Sequence, residues 1–362
     1  MLARVDFWVD ACVLLVMMWT GSSAGRPSQS KKGLKDMRNH FQIRKTCVDI
    51  VDVSVTLFKI MIPTLILVKI LEEMGVVLIL NQIMAPLTSL MGLPVEMAIV
   101  LTTTMLTNPY AGLIVFSNLP IGDEFTVAQA TILASFMLLA HSLPVEVLIA
   151  RKSGVRARMS LFVRVGGGLL LCVILNFLFQ VTGMLSGSAL VTLPQLSTTV
   201  GIQDWAIEQI KALIFVQIVI IVLLFFLEGL RVIGVERLIK LALGPFLRFM
   251  GVGDKAATIA VVGVTLGLGF GGGLLIKEVS SGNIPKEDVF GVLSFLNLSH
   301  SVFEDTAVVM LLGPSLFIVL VGRIIYAMLF VFILMKFAAS LSEEIWKQHL
   351  TNANIPEQAK LA

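Results

Sequence analysis

The stretch S-F-L-N-L-S-H-S-V-F-E-D-T, residues 294–306, carries the most informative pattern in the chain. It lies in an apolar segment, about residues 289–312, that is long enough to cross a bilayer. Six polar residues interrupt it: Ser294, Asn297, His300, Ser301, Glu304 and Asp305. On a continuous helix they fall within an arc of about 140°. Because ionisable side chains are costly in contact with lipid, we predict that this stripe faces other helices, a water-filled cavity or a solute.

Two interpretations of this polar stripe follow from the cost of placing charge at membrane depth. In the functional interpretation, the side chains bind a substrate or an ion. In the structural interpretation, they satisfy one another in a polar contact between helices. One imidazole, two carboxylates and an amide on one face favour the functional interpretation, because ionisable residues within membrane segments usually mark solute, ion or proton pathways.

The composition predicts an all-α polytopic membrane protein. The 362 residues are 57% hydrophobic and 14% charged, whereas soluble domains carry about 25% charged residues. Three widely spaced cysteines, Cys12, Cys47 and Cys172, argue against a disulfide framework or a thiolate zinc site. No G-x-x-x-x-G-K-[ST] sequence is present, which argues against nucleotide hydrolysis by a P-loop. We expect no enzymatic activity, no cofactor and no nucleic-acid partner.

Ten hydrophobic segments follow from about residue 49. The first five are predicted at about 49–72, 76–92, 95–118, 125–150 and 160–183, and the second five at about 209–231, 235–251, 255–278, 287–312 and 315–337. The predicted domains are an N-terminal extension and basic arm (1–48), a first repeat (49–183), a connector (184–208), a second repeat (209–337) and a polar tail (338–362). We expect the mature protein to start at Met37, with residues 1–36 an upstream extension of the reading frame.

The two sets of five segments are related by one ungapped offset. His300 lies 159 positions after His141. The same offset pairs Pro86 with Pro245, Gly112 with Gly271, Ser142 with Ser301, and Glu146 with Asp305. Recurrence of His-Ser, Pro and Gly at a single offset predicts an internal duplication.

The distribution of basic residues predicts how the two copies are inserted. Arg151, Lys152, Arg156, Arg158 and Arg164 follow the fourth segment. Basic residues favour the cytoplasmic side, so we expect an inner (plasma) membrane protein with both termini cytoplasmic. Five crossings per copy is an odd number, so the second copy enters from the opposite side. The sequence therefore predicts an inverted repeat, as in secondary transporters.

Two segments contain helix-breaking sequences at corresponding places. The third includes T-N-P-Y-A-G, residues 107–112, in which Pro109 removes a backbone donor and restricts Asn108. The eighth includes G-L-G-F-G-G-G, residues 267–273, with Gly269 and Gly271 at its centre. Broken helices at matching positions indicate a transport site. Close packing of helices on small residues is the alternative for the glycines.

The candidate substrate-binding residues combine the polar stripe with its counterpart and with the two breaks. They are Asn108, His141, Glu146, Gly269, Gly271, Asn297, His300, Ser301, Glu304 and Asp305. An imidazole beside a carboxylate could relay a proton, and nitrogen and oxygen ligands could also hold a divalent metal.

The chain resembles the Gate family, also called nucleoside recognition domain proteins. The first copy carries the resemblance in P-L-T-S-L-M-G-L-P (86–94), T-N-P-Y-A-G (107–112) and A-H-S-L-P-V-E (140–146). The second carries it in G-P-F-L-R-F-M-G-V (244–252), G-F-G-G-G (269–273) and S-H-S-V-F-E-D-T (299–306). That family includes membrane parts of concentrative nucleoside transporters, the ferrous iron transporter FeoB and spore maturation proteins. The resemblance implies broken or re-entrant helices over about residues 50–335.

Together these features predict a transporter for a small polar solute or cation, either nucleoside-like or a divalent metal, which would bind near the midplane between the two copies. The alternative is a non-transporting membrane component of a larger assembly, in which the stripe serves helix packing. A homo-oligomer is compatible with both.

Overall fold

A computed structural model describes residues 43–119, 125–194, 201–249, 252–253, 255–264, 276, 279 and 284–351. Within these ranges the regular structure is helical, and β pairing is limited to isolated bridges between Thr126 and Ser188 and between Val155 and Thr351. The predicted all-α class is confirmed. The predicted extension, residues 1–36, and the predicted break at 267–273 lie outside the described residues.

The described chain folds into a series of long and short helices. Those before the connector are α1 (Ile43–Glu73), α2 (Val76–Leu90), α3 (Met97–Leu106), α4 (Pro109–Ser117), α5 (Val127–Leu139), α6 (Leu143–Lys152) and α7 (Ala157–Thr182). Those after it are α8 (Ile202–Ile233), α9 (Val235–Phe249), α10 (Lys255–Val264), α11 (Lys286–Leu298), α12 (Glu304–Val309), α13 (Ile318–Ala339) and α14 (Glu343–Ile345). One π-helical turn lies in α7 at Phe162–Gly166, and another opens α13 at Ile318–Gly322.

Helix bounds recur at the offset seen in the sequence. The helix α9 begins and ends 159 residues after α2 does, which is the interval between His141 and His300. The helix α11 begins and ends 159 residues after α5 does. The connector is shorter than predicted, because α8 begins at Ile202 and not near residue 209. Its first turns contain Asp204 and Glu208, so the helical backbone extends beyond the apolar sequence that marked the segment.

The predicted number of segments is wrong as a count of membrane spans. Within the described ranges, four stretches are long and apolar enough to cross a bilayer: Thr46–Leu71, Ala157–Thr182, Ile202–Leu230 and Ile318–Ala339. A fifth is obtained if α5 and α6, which meet at a bend of 41°, are taken as one broken span. The count falls because predicted segments such as 95–118 and 125–150 are each divided into two short helices.

The predicted break at Asn108 is present between α3 and α4. Asn108 is extended, with φ −163° and ψ 166°, and its side-chain oxygen accepts the Ala111 N–H at 2.9 Å. Pro109 occupies the first turn of α4, where its missing N–H costs no hydrogen bond. An N-cap followed by Pro thus starts a new helix inside the membrane-depth sequence.

Two further breaks were not predicted, and they lie at the histidines. The expectation of one continuous helix over about 289–312 is wrong, because α11 ends at Leu298 and α12 starts at Glu304. Ser142 and Ser301 adopt left-handed backbone conformations, with φ of 49° and 44°. The Ser142 N–H donates to the Thr104 carbonyl at 3.1 Å, and the Val302 N–H donates to the Val264 carbonyl at 3.0 Å. Bonds to neighbouring helices thus replace the helical ones that each break removes.

The centre of the molecule is formed by α5 and α11, which are buried along nearly their whole length. Each packs on the long helix that follows it, α7 or α13. In addition, α11 contacts the π turn of α7, and α5 contacts the π turn of α13. The two halves therefore meet at their broken helices, beside the type of irregular turn that is common at functional sites.

Trp346, near the end of the described chain, packs against α11. Trp346 is 5% exposed, donates its indole N–H to the Ala338 carbonyl at 2.8 Å, and packs edge-on against Phe290. Replacing it by alanine should lower the free energy of unfolding by about 3–5 kcal/mol, because a large buried ring is lost. Thermal unfolding in detergent measures this loss.

Phe337→Ala is the matched control for that measurement. Phe337 is 63% exposed, so its truncation removes an aromatic ring with little burial against the protein. Equal destabilisation by the two variants would contradict the conclusion that buried packing of Trp346 stabilises the fold.

Candidate functional site

Two histidines meet at the centre of the molecule. His141 follows α5 and His300 follows α11, so both side chains leave the backbone at the two unexpected breaks. Their Nε2 atoms are 3.1 Å apart, and the residues are 4% and 2% exposed. The sequence predicted that these two residues correspond, and the structure places them in direct contact.

The orientation of each ring is fixed by its own helix. His141 Nδ1 lies 2.9 Å from the Met137 carbonyl oxygen, and His300 Nδ1 lies 2.7 Å from the Leu296 carbonyl oxygen. A carbonyl only accepts hydrogen bonds, so each Nδ1 carries a proton and donates it. In the neutral ring this leaves a lone pair on Nε2. The two rings therefore direct two acceptor nitrogens at the same point.

Two carboxylates complete this cluster. Glu146 Oε1 lies 3.2 Å from His141 Nε2 and 3.1 Å from His300 Nε2. Asp305 Oδ2 lies 3.5 Å from His141 Nε2. Both carboxylates lie near the start of the helix that follows a break, where the backbone N–H of each donates at 3.0 Å to the carbonyl of the serine with positive φ, Ser142 or Ser301.

Two buried arginines, which the sequence patterns did not single out, surround the cluster. Arg164 donates to the His141 carbonyl at 2.8 Å and forms an ion pair with Glu146. Arg323 donates to the His300 carbonyl at 3.3 Å. Both are almost fully buried, at 0% and 1% exposed. The sequence carries a signal for them, because these arginines are separated by the same offset as the histidines, but the basic residues that precede Arg164 make it resemble a loop charge.

The two halves differ in one respect. Arg164 and Glu146 form an ion pair, whereas their counterparts Arg323 and Asp305 form none within the described residues. Asp305 Oδ2 and the Nε and Nη1 atoms of Arg323 have no hydrogen-bond partner in this part of the chain. In the described residues the second half therefore has a carboxylate without an arginine partner, whereas the carboxylate of the first half is paired with Arg164.

The cluster brings hydrogen-bond acceptors from the two halves together. Glu146 Oε1, Asp305 Oδ2 and His300 Nε2 each lie within 3.5 Å of His141 Nε2, and all four atoms are acceptors when the rings are neutral. Such an arrangement repels itself in a low-dielectric interior unless a proton or a metal cation lies between the acceptors. The arrangement is therefore chemically suited to accept a proton or a cation.

Asn297 and Asn108 lie outside this centre, although the sequence pattern grouped them with it. The Asn297 side-chain oxygen accepts from the Ser160 hydroxyl at 3.0 Å, and its backbone carbonyl accepts from Arg164 at 3.2 Å. Asn297 thus helps to hold Arg164 in place. Asn108 caps α4, and its amide nitrogen is buried without a partner in the described residues.

The remaining predicted residues take different positions. Glu304 is half-buried and lies within electrostatic range of Asp305 and His141. Its side chain forms no ion pair or hydrogen bond with the residues that the structure describes. Ser301 supplies the left-handed backbone at the break. Gly269 and Gly271 lie outside the described residues, so their predicted role stays a prediction.

Long apolar helices around a buried charged centre define a helical membrane protein. On α13 the outward side chains Ile325, Leu329, Ile333 and Phe337 are exposed apolar residues at helical spacing.

The uncharacterized membrane protein YvoD of Bacillus subtilis (strain 168) is 27% identical to the chain over 236 residues, which cover 62% of this chain and 72% of that protein. No protein-family model and no solved structure matches the chain. Its resemblance to the Gate family stays a prediction.

Proposed function

We propose that this protein is a transporter that carries a small polar solute or cation across the membrane. The observation that carries the proposal is the convergence of His141, His300, Glu146 and Asp305 at two helix breaks, one in each half of the chain. Packed helices have no structural need for acceptor groups that face one another, whereas a site for a passing cation does. Broken helices at membrane depth are the usual means of building such a site.

The proposal includes an inverted repeat of the Gate type in the inner membrane, with both termini cytoplasmic. Helix bounds that recur at one constant offset support the duplication, as do the paired backbone conformations of Ser142 and Ser301. An odd number of crossings per copy would give the two copies opposite senses. Alternating access would then consist of movement of one copy against the other around the central cluster.

Glu304→Gln provides a direct test of the transport function. Glu304 is the half-buried carboxylate at the edge of the cluster, so it can receive a cation before the buried groups do. Its neutralisation should lower uptake by about 10–100-fold, the range seen when groups that support a bound ion are removed. The measurement is counterflow into proteoliposomes, with a panel of nucleosides, organic acids and divalent metals as solutes.

Glu344→Gln is the control, because Glu344 is an exposed carboxylate in the C-terminal part of the described chain. It should transport at the rate of the unmodified protein. The transport proposal fails if no solute in the panel shows counterflow, or if both variants behave alike.

A second candidate function is a non-transporting component of a larger assembly. It is favoured by polar contacts that join the halves without any solute: the Tyr326 hydroxyl donates to the Gly167 carbonyl at 2.5 Å, and Arg164 bonds the Asn297 carbonyl. Such contacts would serve as assembly contacts. Purification of a stoichiometric partner together with the chain, combined with no flux in proteoliposomes, would support this function over transport.

A further inference from the structure

We infer that the central cluster is a four-ligand site for a divalent transition-metal ion of the Zn²⁺ or Co²⁺ type. Its ligands are Nε2 of His141, Nε2 of His300, Oε1 of Glu146 and Oδ2 of Asp305. The inference deepens the proposed function by naming the class of cation, and it rests on that function only for the claim that the metal is carried across the membrane.

Four of the six separations between the proposed ligand atoms are close to the edges of a coordination tetrahedron. Metal–ligand bonds of about 2.0–2.1 Å place tetrahedral ligand atoms about 3.3–3.4 Å apart. The separations here are 3.1 Å between the two nitrogens, 3.2 and 3.1 Å from Glu146 Oε1 to them, and 3.5 Å from Asp305 Oδ2 to His141 Nε2. The ligand atoms of His141, His300 and Asp305 all lie within 4.8 Å of one another. The two nitrogens are therefore placed to share one ion with either carboxylate, and binding by both carboxylates requires side-chain movement.

The groups behind the ligands are those that metal sites require. Metal-binding histidines usually donate their second ring N–H to a carbonyl or carboxylate, which fixes the tautomer and raises ligand basicity. Here the Met137 and Leu296 carbonyls accept from the two Nδ1 atoms. Arg164 holds the other oxygen of Glu146, so that Oε1 faces the centre. Three of the four ligands are thus oriented before any ion arrives.

The ligand types select among metals. Two imidazoles with two carboxylates suit Zn²⁺, Co²⁺ and similar borderline ions. Mg²⁺ and Ca²⁺ prefer sites built from oxygen ligands alone, and Cu⁺ prefers thiolate or thioether sulfur. Of the cysteines in the described residues, Cys47 lies on α1 and Cys172 on α7, and neither belongs to the cluster.

The formal charge of the cluster does not by itself distinguish a dication from a proton. The carboxylates of Glu146, Glu304 and Asp305 carry three negative formal charges, and Arg164 and Arg323 carry two positive ones. With neutral histidines the empty cluster therefore has a net formal charge of −1. Occupation by M²⁺ changes this to +1, and the central repulsion among acceptors is removed. A single proton would also reduce that repulsion, so the decisive test separates a metal from a proton.

Co²⁺ is the probe for this test, because its visible spectrum reports coordination number. The full chain is purified with a tag that contains no histidine, stripped with a chelator and titrated with Co²⁺. We expect one Co²⁺ per chain, with the intense visible bands of a four-coordinate ion and displacement by Zn²⁺. His300→Ala and Asp305→Asn should each weaken Co²⁺ binding by about 10–100-fold or more. His349→Ala removes an exposed histidine and should leave binding unchanged.

The outcomes separate this inference from the proposed function. If the chain binds no Co²⁺, or if His300→Ala and Asp305→Asn bind it as the unmodified chain does, the inference is overturned. Counterflow of another solute by such a metal-free protein would leave the transport function standing. Stoichiometric Co²⁺ binding that requires these ligands, without counterflow of any solute in the panel, would support the metal site and overturn the transport function.

Discussion

Arg164→Met should lower the free energy of unfolding by about 3–5 kcal/mol, the cost of removing one member of a buried ion pair. Arg164 is fully buried, bonds the His141 and Asn297 carbonyls, and forms an ion pair with Glu146. Methionine fills a similar volume but leaves the Glu146 carboxylate without its charge partner in a low-dielectric interior. The loss is therefore electrostatic, since the packing volume is largely retained. Thermal and denaturant unfolding in detergent measure it.

A double-mutant cycle identifies the cause of that loss. Glu146→Gln alone should also destabilise the protein, because it leaves the arginine charge buried and unpaired. The double variant Arg164→Met with Glu146→Gln should recover most of the stability, since neither charge remains. Additive losses in the double variant would contradict the ion-pair explanation and assign the effect to packing.

Arg323→Met is the internal control that the repeated architecture provides. Arg323 is equally buried and bonds the equivalent carbonyl, of His300, but it has no ion-pair partner in the described residues. Removing Arg323 therefore does not leave a carboxylate without the arginine that it was paired with. We expect a loss well below that of Arg164→Met, so the difference between the two variants reports the asymmetry between the halves.

Much of the fold could be predicted from the sequence, because hydrophobicity and periodicity are local properties. Composition indicated a helical membrane protein, and the constant offset between the two copies related helices whose bounds recur in the structure, such as α2 and α9. The Asn108-Pro109 break was also predictable, since proline restricts its own backbone and that of the preceding residue. These features depend on residues close together in the chain.

The breaks at the histidines could not be predicted in the same way, because they depend on contacts between helices. Ser142 donates its N–H to Thr104 on α3, and Val302 donates to Val264 on α10. Neither partner is adjacent in sequence. A helical wheel treats the segment as one continuous helix, so it cannot show a break that depends on such a bond. The wheel still grouped His300 with Asp305, although the two converge across a break and not along one helix face. Asn297 shared the predicted face but supports Arg164 instead.

The two buried arginines were missed for a different reason. Arg164 was assigned to a cytoplasmic loop from its proximity to Arg156 and Arg158, where positive charge is common. In the structure it lies in the π turn of α7, about two turns inside the membrane-length helix. Its counterpart Arg323 follows the π turn of α13 directly. The constant offset between Arg164 and Arg323 is the sequence signal that relates them.

His141→Ala and His300→Ala should each reduce Zn²⁺ uptake by roughly 100-fold, because each removes a direct ligand where loss of a supporting group already costs about 10–100-fold. The double variant should be no worse than either single one. The two Nε2 atoms, 3.1 Å apart, act as one unit, and removing either leaves an incomplete site. Groups that act as a unit show such non-additive losses. Initial rates in proteoliposomes that contain an entrapped zinc indicator measure this effect.

His349→Ala serves as the control for this experiment, since His349 is exposed near the end of the described chain and should transport normally. Where another solute shows counterflow and Zn²⁺ does not, the same four variants are measured with that solute. Multiplicative losses in the double variant would mean that the imidazoles contribute separately, which is incompatible with one shared cation between them. Unchanged rates in both single variants would show that the central cluster is not on the transport path. The transported solute would then not depend on the two histidines at which the halves meet.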